Sequence, residues 1–229
     1  MWAKIYMNYT LIGLGIILCV LIYAMYAYLT NKGNQVGSNM ITLDATTANP
    51  SVSYSLLSNP TSPRYFLSFW INVSSLTADS TIFDIKKGTS ILKVELTSNS
   101  TLRYKINNTE NHTIMPDFPL QKWVYIILSI DDKLVDIYID GKLIRSETFS
   151  AQIPTVTDTT TNIIFDKLNG AIIYLTKFTR NPTPMDPGLA WSSYMAGNGG
   201  NSFSSLLSGY GASFTLTKDN LDVNKMALF

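Results

Sequence analysis

Four aspartates, Asp131, Asp132, Asp136 and Asp140, fall within ten residues of the stretch "QKWVYIILSIDDKLVDIYIDGKLIRS", Gln121 to Ser146. Carboxylates at that density could do two kinds of chemistry. A pair converging on one pocket performs general acid–base work when its surroundings raise the pKa of one partner. A cluster on a folded loop can instead supply some of the roughly six to eight oxygens that a calcium ion takes. Asp131 and Asp132 could contribute to such a loop, but no Asp-x-Asp-x-Asp-Gly pattern follows them.

The neighbouring residues explain the aspartates more simply. Trp123 to Ile130, "WVYIILSI", is apolar at nearly every position, as a central strand covered on both faces should be. In "LVDIYIDGKLI", Leu134 to Ile144, Val135, Ile137 and Ile139 alternate with Asp136, Tyr138 and Asp140, which puts the two sets on opposite faces of a strand. Asp131-Asp132-Lys133 then reads as a polar turn. Asp140-Gly141 reads as a type I′ hairpin turn, because both of its central positions need positive φ. Asp136 falls on the outer face of the strand between them.

Other candidates for chemistry are few. Glu95, Glu110 and Glu147 are the only glutamates and stand far apart. His112, the only histidine, lies in "NNTENHTIMPDF" with no serine or cysteine arranged to make a triad, so an exposed loop histidine is expected. No catalytic, cofactor-binding or metal-ligating residue is assigned, and no cofactor is expected. Trp70, Trp123, Tyr125 and Trp191 could stack on a sugar ring, with core packing as the competing explanation.

The elements that must position these residues are written as strands. "RYFLSFWINV" (Arg64 to Val73), "STIFDIKK" (Ser80 to Lys87), "SILKVELTS" (Ser90 to Ser98), "TLRYKINN" (Thr101 to Asn108), "NIIFD" (Asn162 to Asp166) and "GAIIYLTKF" (Gly170 to Phe178) are short apolar runs separated by Ser, Asn, Thr, Gly and Pro. That texture predicts an all-β sandwich or barrel. In the first run Tyr65, Leu67, Phe69 and Ile71 share one face, and Phe66, Ser68, Trp70 and Asn72 the other. One short helix is expected over Asp186 to Gly197, with Asp186 as its cap, Pro187 in its first position and Gly197 ending it. Ser213 to Phe229 reads as two closing strands around a Lys-Asp-Asn turn.

Before the strands comes an apolar segment. "LIGLGIILCVLIYAMYAYL", Leu11 to Leu29, lies in a stretch free of charge from Ile5 to Asn31. As a helix it would rise about 28 Å, near the thickness of a bilayer's hydrocarbon core. Flanking tyrosines and Lys4 and Lys32 resemble interfacial anchors. A cleaved signal peptide has a shorter apolar region and a small-x-small cleavage site, so a retained anchor contacting a lipid bilayer through Leu11–Leu29 is the expectation. The organisation expected is therefore an anchor helix at 1–32, a flexible linker at 33–39 and a β-sandwich at 40–229.

Composition narrows the partners. The chain of 229 residues carries 17 lysines and arginines against 16 acids, a formal charge of +1, which offers no broad attraction to a nucleic acid. Its single cysteine, Cys19, lies in the apolar segment, so the sandwich cannot hold an internal disulfide. Asn72, Asn99, Asn107 and Asn111 open Asn-x-Ser/Thr sequons, which a chain so rich in Asn, Ser and Thr also produces by chance.

Taken together, "FLSFWINV", "GTSILKVELTSNSTLRYKI", "LQKWVYIILSIDDKLVDIYIDGKLI" and "NGAIIYLTKFTRNPTPMDPGLAWSSYMAGNG" resemble the concanavalin A-like lectin/glucanase superfamily, particularly its laminin-G-like branch, over roughly residues 40 to 200. The resemblance implies a jelly roll of two packed antiparallel sheets and leaves the function open. The Glu-x-Asp-x-x-Glu strand of the superfamily's glucanases is missing, so catalysis is not carried over and no enzyme is expected. The apolar segment, the cysteine-free laminin-G-like domain and the tail "WSSYMAGNGG…GYGASFTLTKDN" are together similar to minor capsid proteins of large icosahedral nucleocytoplasmic DNA viruses. That similarity implies a non-enzymatic structural protein at the interface of a virion's internal membrane and its capsid shell, with other capsid proteins as partners. The alternative is a membrane-anchored lectin-like module that binds cell-surface glycans.

Overall fold

The computed structural model describes residues 9–31, 36, 40–47, 51–156, 160–198, 213–218 and 221–227. A helix α1 (Tyr9–Asn31) precedes strands β1 (Ile41–Leu43), β2 (Val52–Ser53), β3 (Arg64–Leu76), β4 (Ser80–Lys87), β5 (Thr89–Leu96), β6 (Leu102–Ile106) and β7 (Asn111–Met115). After them come β8 (Trp123–Asp131), β9 (Leu134–Ile139), β10 (Lys142–Thr148), β11 (Asn162–Ile164), β12 (Ala171–Asn181), helix α2 (Pro187–Met195), β13 (Ser213–Lys218) and β14 (Leu221–Ala227).

The strands form an antiparallel sandwich. One six-stranded sheet has the order β1-β12-β3-β8-β9-β10, and the other β2-β11-β4-β5-β6-β7. Among the described residues, strands β13 and β14 form a separate two-stranded sheet, and Asp219 and Asn220 of the expected turn between them lie outside the described residues. The alternation in β3 is realised: Tyr65, Leu67, Phe69 and Ile71 enter the core between the sheets, where Phe69 packs on Phe83 and Phe178 at 5.5 and 5.4 Å between ring centres. Phe66 and Trp70, on the other face, join a second apolar cluster outside the first sheet. Strand β8, buried along nearly its whole length between β3 and β9, is the central strand that its sequence implies.

Two expectations need restating. Among the described residues no helix is long and apolar enough to cross a membrane. The single-pass membrane location expected from Leu11–Leu29 is corrected accordingly. Within the expected 33–39 linker, Val36 is described and is buried in the sandwich core, its N–H donating to the carbonyl of Phe178 at 2.8 Å.

Candidate functional site

The outer face of the first sheet carries the most elaborate surface, because α2 lies across it. Asp186 caps α2, its Oδ1 accepting from the N–H groups of Gly188 at 2.8 Å and Leu189 at 3.1 Å, with Pro187 following as the sequence predicts. Just before the cap, the N–H of Met185 donates to Ser129 Oγ on β8 at 2.9 Å, which ties the approach to the sheet. The far side of the helix rests on the β9–β10 turn. Asp140 and Gly141 have φ of 49° and 76°, both positive as a type I′ turn requires. A Cβ on Gly141 would lie 3.0 Å from Tyr194 Cβ and 3.1 Å from Trp191 Cα, so the helix sits where only glycine leaves room.

Under α2 the aromatics are stacked. Trp70 stacks with Tyr125 and with Tyr194, with ring centres 5.1 and 5.7 Å away and interplanar angles of 27° and 19°. Trp191 adds a tilted contact to Tyr194 at 5.6 Å. The indole N–H of Trp70 is buried and has no hydrogen-bond partner among the described residues.

Beside this stack a cleft of about 340 Å³ opens between α2 and strands β3 and β12. Phe66, Ser68 and Trp70 form its floor with Tyr125, while Lys177, Thr179 and Asn181 come from β12 and Leu189, Ser193 and Ala196 from the helix side. The lining carries one cationic side chain, Lys177, among hydroxyl, amide and apolar groups. Ser68 and Thr179 share a hydrogen bond between their hydroxyls. Lys177, at a bulge with φ of 50°, turns its amino group onto the carbonyls of Gly197 at 2.7 Å and Ala196 at 3.4 Å, and burial lowers its pKa. Burial also raises the pKa of the Tyr125 phenol, against hydrogen bonds with Ser68 and Ser193.

The residues singled out from the sequence are dispersed. Asp131 receives a bidentate pair from Arg64 at 2.6 and 2.8 Å. Asp140 accepts from the N–H of Tyr125 at 2.9 Å, and Asp136 from Ser146 on the neighbouring strand. Among the described residues no group of three His, Cys, Asp or Glu side chains could hold a metal ion. Glu95 sits on the outer face of the second sheet among Lys93, Arg103 and Lys105, at 2.7, 3.0 and 3.1 Å. Its burial works to raise the carboxyl's pKa, but the three cations outweigh that and hold it at about 2.

His112 is not a loop residue. It stands on β7 opposite Tyr104, stacked on the Tyr104 ring and in tilted contact with Phe149, with Nδ1 3.0 Å from Glu147 Oε2. Tyr104 donates its hydroxyl to the same oxygen at 2.6 Å, and Arg145 reaches Oε1 at 3.1 Å. Of the four aromatics, Trp70 and Tyr125 are buried, Trp123 is partly buried against them, and Trp191 is 47% exposed. The cleft itself was not foreseen, since its β12 wall depends on the bulge at Lys177. The one available signal was Ser68, a hydroxyl in an otherwise apolar stretch of β3.

A family model described as the concanavalin A-like lectin/glucanases superfamily matches residues 44–172, more than half of the chain. No curated protein matches the sequence. Among solved structures, the receptor-binding domain of the botulinum neurotoxin C/D mosaic serotype is similar at a TM-score of 0.58 and 16% identity, over 72% of this chain and 45% of that one. The binding domain of botulinum neurotoxin DC in complex with rat synaptotagmin II is similar at 0.53 and 15% identity, over 70% and 47%. The same domain in complex with SialylT is similar at 0.52 and 16%, again over 70% and 47%. The chain spans less than half the length of these structures, and at such identities the likeness is one of fold.

Proposed function

The chain belongs to the concanavalin A-like lectin/glucanase superfamily, and on that premise we propose that it is a non-enzymatic structural protein, a minor capsid component that docks onto other virion proteins through α2 and β10. The observation that carries this reading is an apolar surface at the α2 end of the sheet. Leu189, Trp191 and Met195 of α2 are 44%, 47% and 63% exposed, and Leu143 and Ile144 of β10 are 51% and 56% exposed. Leu143 pairs with Tyr138, whose ring packs in the cluster beneath α2, so that side of β10 continues the helix surface. Exposed apolar residues gathered at one place mark interaction sites on soluble proteins.

Two further points support it. Glu95, Glu147, Asp131 and Asp140 are each held by cations or backbone N–H groups, an arrangement suited to holding the fold rather than to moving protons. The capsid assignment itself leans on the similarity in pattern to virion proteins of large DNA viruses. One similar structure, of which this chain covers 47%, is a neurotoxin binding domain in complex with a protein, rat synaptotagmin II.

The test is incorporation into particles. Tagged wild-type chain and a Trp191→Ser/Met195→Ser double variant are expressed during infection, and each is quantified by mass spectrometry in purified virions. The wild type is expected in the particles and cross-linked to capsid proteins, the variant at least tenfold depleted with its melting temperature held within about 3 °C. Absence of the wild-type chain from the particles, or equal incorporation of the folded variant, would sink the proposal.

A further inference from the structure

We infer that the cleft between α2 and strands β3 and β12 binds a small organic monocarboxylate with an apolar body, its carboxylate held by the Lys177 ammonium. This goes beyond the docking role proposed above and does not rest on it. The observation behind it is a positive charge without a counter-charge. Lys177 lines the cleft, and among the described residues no aspartate or glutamate lines it. The hydrogen bonds of its amino group go to backbone carbonyls, of Gly197 at 2.7 Å and Ala196 at 3.4 Å, which are dipoles and leave the charge in place. An ammonium has three N–H donors, so two carbonyls leave one for a ligand. Burial lowers the pKa of Lys177, the mark of a cation short of solvent, and an anion in the cleft supplies the partner that water does not.

The rest of the lining restricts which anion fits. One cation balances one negative charge, which suits a carboxylate, whereas a phosphate monoester carries about −1.5 to −2 at neutral pH. Next to Lys177 on β12, Thr179 shares a hydrogen bond with Ser68, and Asn181 follows with an amide. Hydroxyls rotate and amides have two N–H groups, so this wall can donate to a carboxylate oxygen. Away from β12 the lining turns apolar, with Phe66 and Trp70 on β3 and Leu189 and Ala196 on the helix side. Polar and apolar groups are thus divided between the two sides of the cleft. A ligand with a carboxylate at one end and a hydrocarbon body matches that division. A ligand hydroxylated all round would press unpaired hydroxyls onto Phe66 and Leu189, which costs free energy.

Size sets the last limit. The volume of about 340 Å³ is at the small end for ligand sites, which run from about 300 to 1,000 Å³, so the occupant is a small molecule.

The experiment titrates ¹⁵N-labelled full-length chain with phenylacetate, with phenylacetamide, which has nearly the same shape and no charge, and with inorganic phosphate. Binding is read from the backbone amide shifts of Thr179 and Leu189. The expected result is a saturable shift with phenylacetate in the millimolar range, and at least tenfold weaker binding of phenylacetamide and of phosphate. Lys177→Met keeps the length of the side chain and removes the charge. It is expected to bring phenylacetate down to the affinity of phenylacetamide while leaving phenylacetamide unchanged, a split that a general loosening of the fold would not produce. Ser193→Leu fills the cleft from the helix side with the cation retained, and serves if the first variant does not fold; it is expected to weaken phenylacetate at least tenfold. No saturable shift, equal binding of phenylacetate and phenylacetamide, tighter binding of phosphate, or phenylacetate binding unchanged in either folded variant would overturn the inference.

Discussion

Arg180 holds its place in the core by an unusual set of partners. It is fully buried, yet its guanidinium donates to carbonyls rather than carboxylates: Ser58 and Asn59 at 3.1 and 3.2 Å, and Pro60 at 3.1 Å. The rings of Tyr54 and Tyr65 lie 5.3 and 4.9 Å from its central carbon. Burial raises the Tyr54 phenol to about 12, so the tyrosine stays neutral and the pocket keeps its single positive charge. A lysine cannot reproduce that planar fork. Arg180→Lys is therefore expected to cost about 2–4 kcal/mol in urea unfolding and to expose the 58–62 loop to limited proteolysis. Glu95 makes a prediction in pH. Its folded pKa of about 2 lies below the ordinary glutamate value, so its contribution is complete above about pH 4.5 and is lost as pH falls toward 2. The wild type should lose its advantage over Glu95→Gln, about 1–2 kcal/mol at neutral pH, between those limits in pH-dependent melts. Asp44 and Asp79, also lowered by hydrogen bonds to backbone N–H groups, leave a residual slope of the same sign in the variant.

At the scale of elements, α2 depends on the turn beneath it. Gly141→Ala places a Cβ against Tyr194 and Trp191 at a positive φ, so a cost of about 1–3 kcal/mol is expected, with faster amide exchange in α2 than in β8. This turn and this helix were legible in the sequence, because Asp140-Gly141 and Asp186-Pro187 act through their immediate neighbours. The alternation in β3 and β9 was legible for the same reason. Strand β7 was not: "NHTIM" is polar, and it is a strand because β6 offers it an edge and because Glu147, on the other sheet, fixes His112. The burial of Arg180 was equally hidden, since its partners lie about 120 residues earlier in the chain. Local chemistry writes itself into short stretches, and contacts across the sandwich do not.

Over the whole molecule, the two sheets are fastened where β10 faces β6 and β7. Glu147 collects Tyr104, His112 and Arg145 there, and Arg145 also donates to the carbonyl of Thr113 at 2.8 Å. Glu147→Gln is expected to cost about 1–2 kcal/mol and to speed amide exchange in β7 and β10 while leaving β3 and β8 protected. The opposite side of the first sheet is built differently, and β12 has a consequence in time. It lies between β1 and β3, so the first strand joins its sheet only through a strand made near the end of the domain. From the end of β3 at Leu76 to the end of β12 at Asn181 a ribosome takes about 5–20 s. Throughout that interval the apolar inner face of β3 has no permanent neighbour on one flank. Order of synthesis, rather than final stability, then sets how long the nascent chain depends on chaperones, and a ribosome stalled before Ala171 would display a half-built sheet.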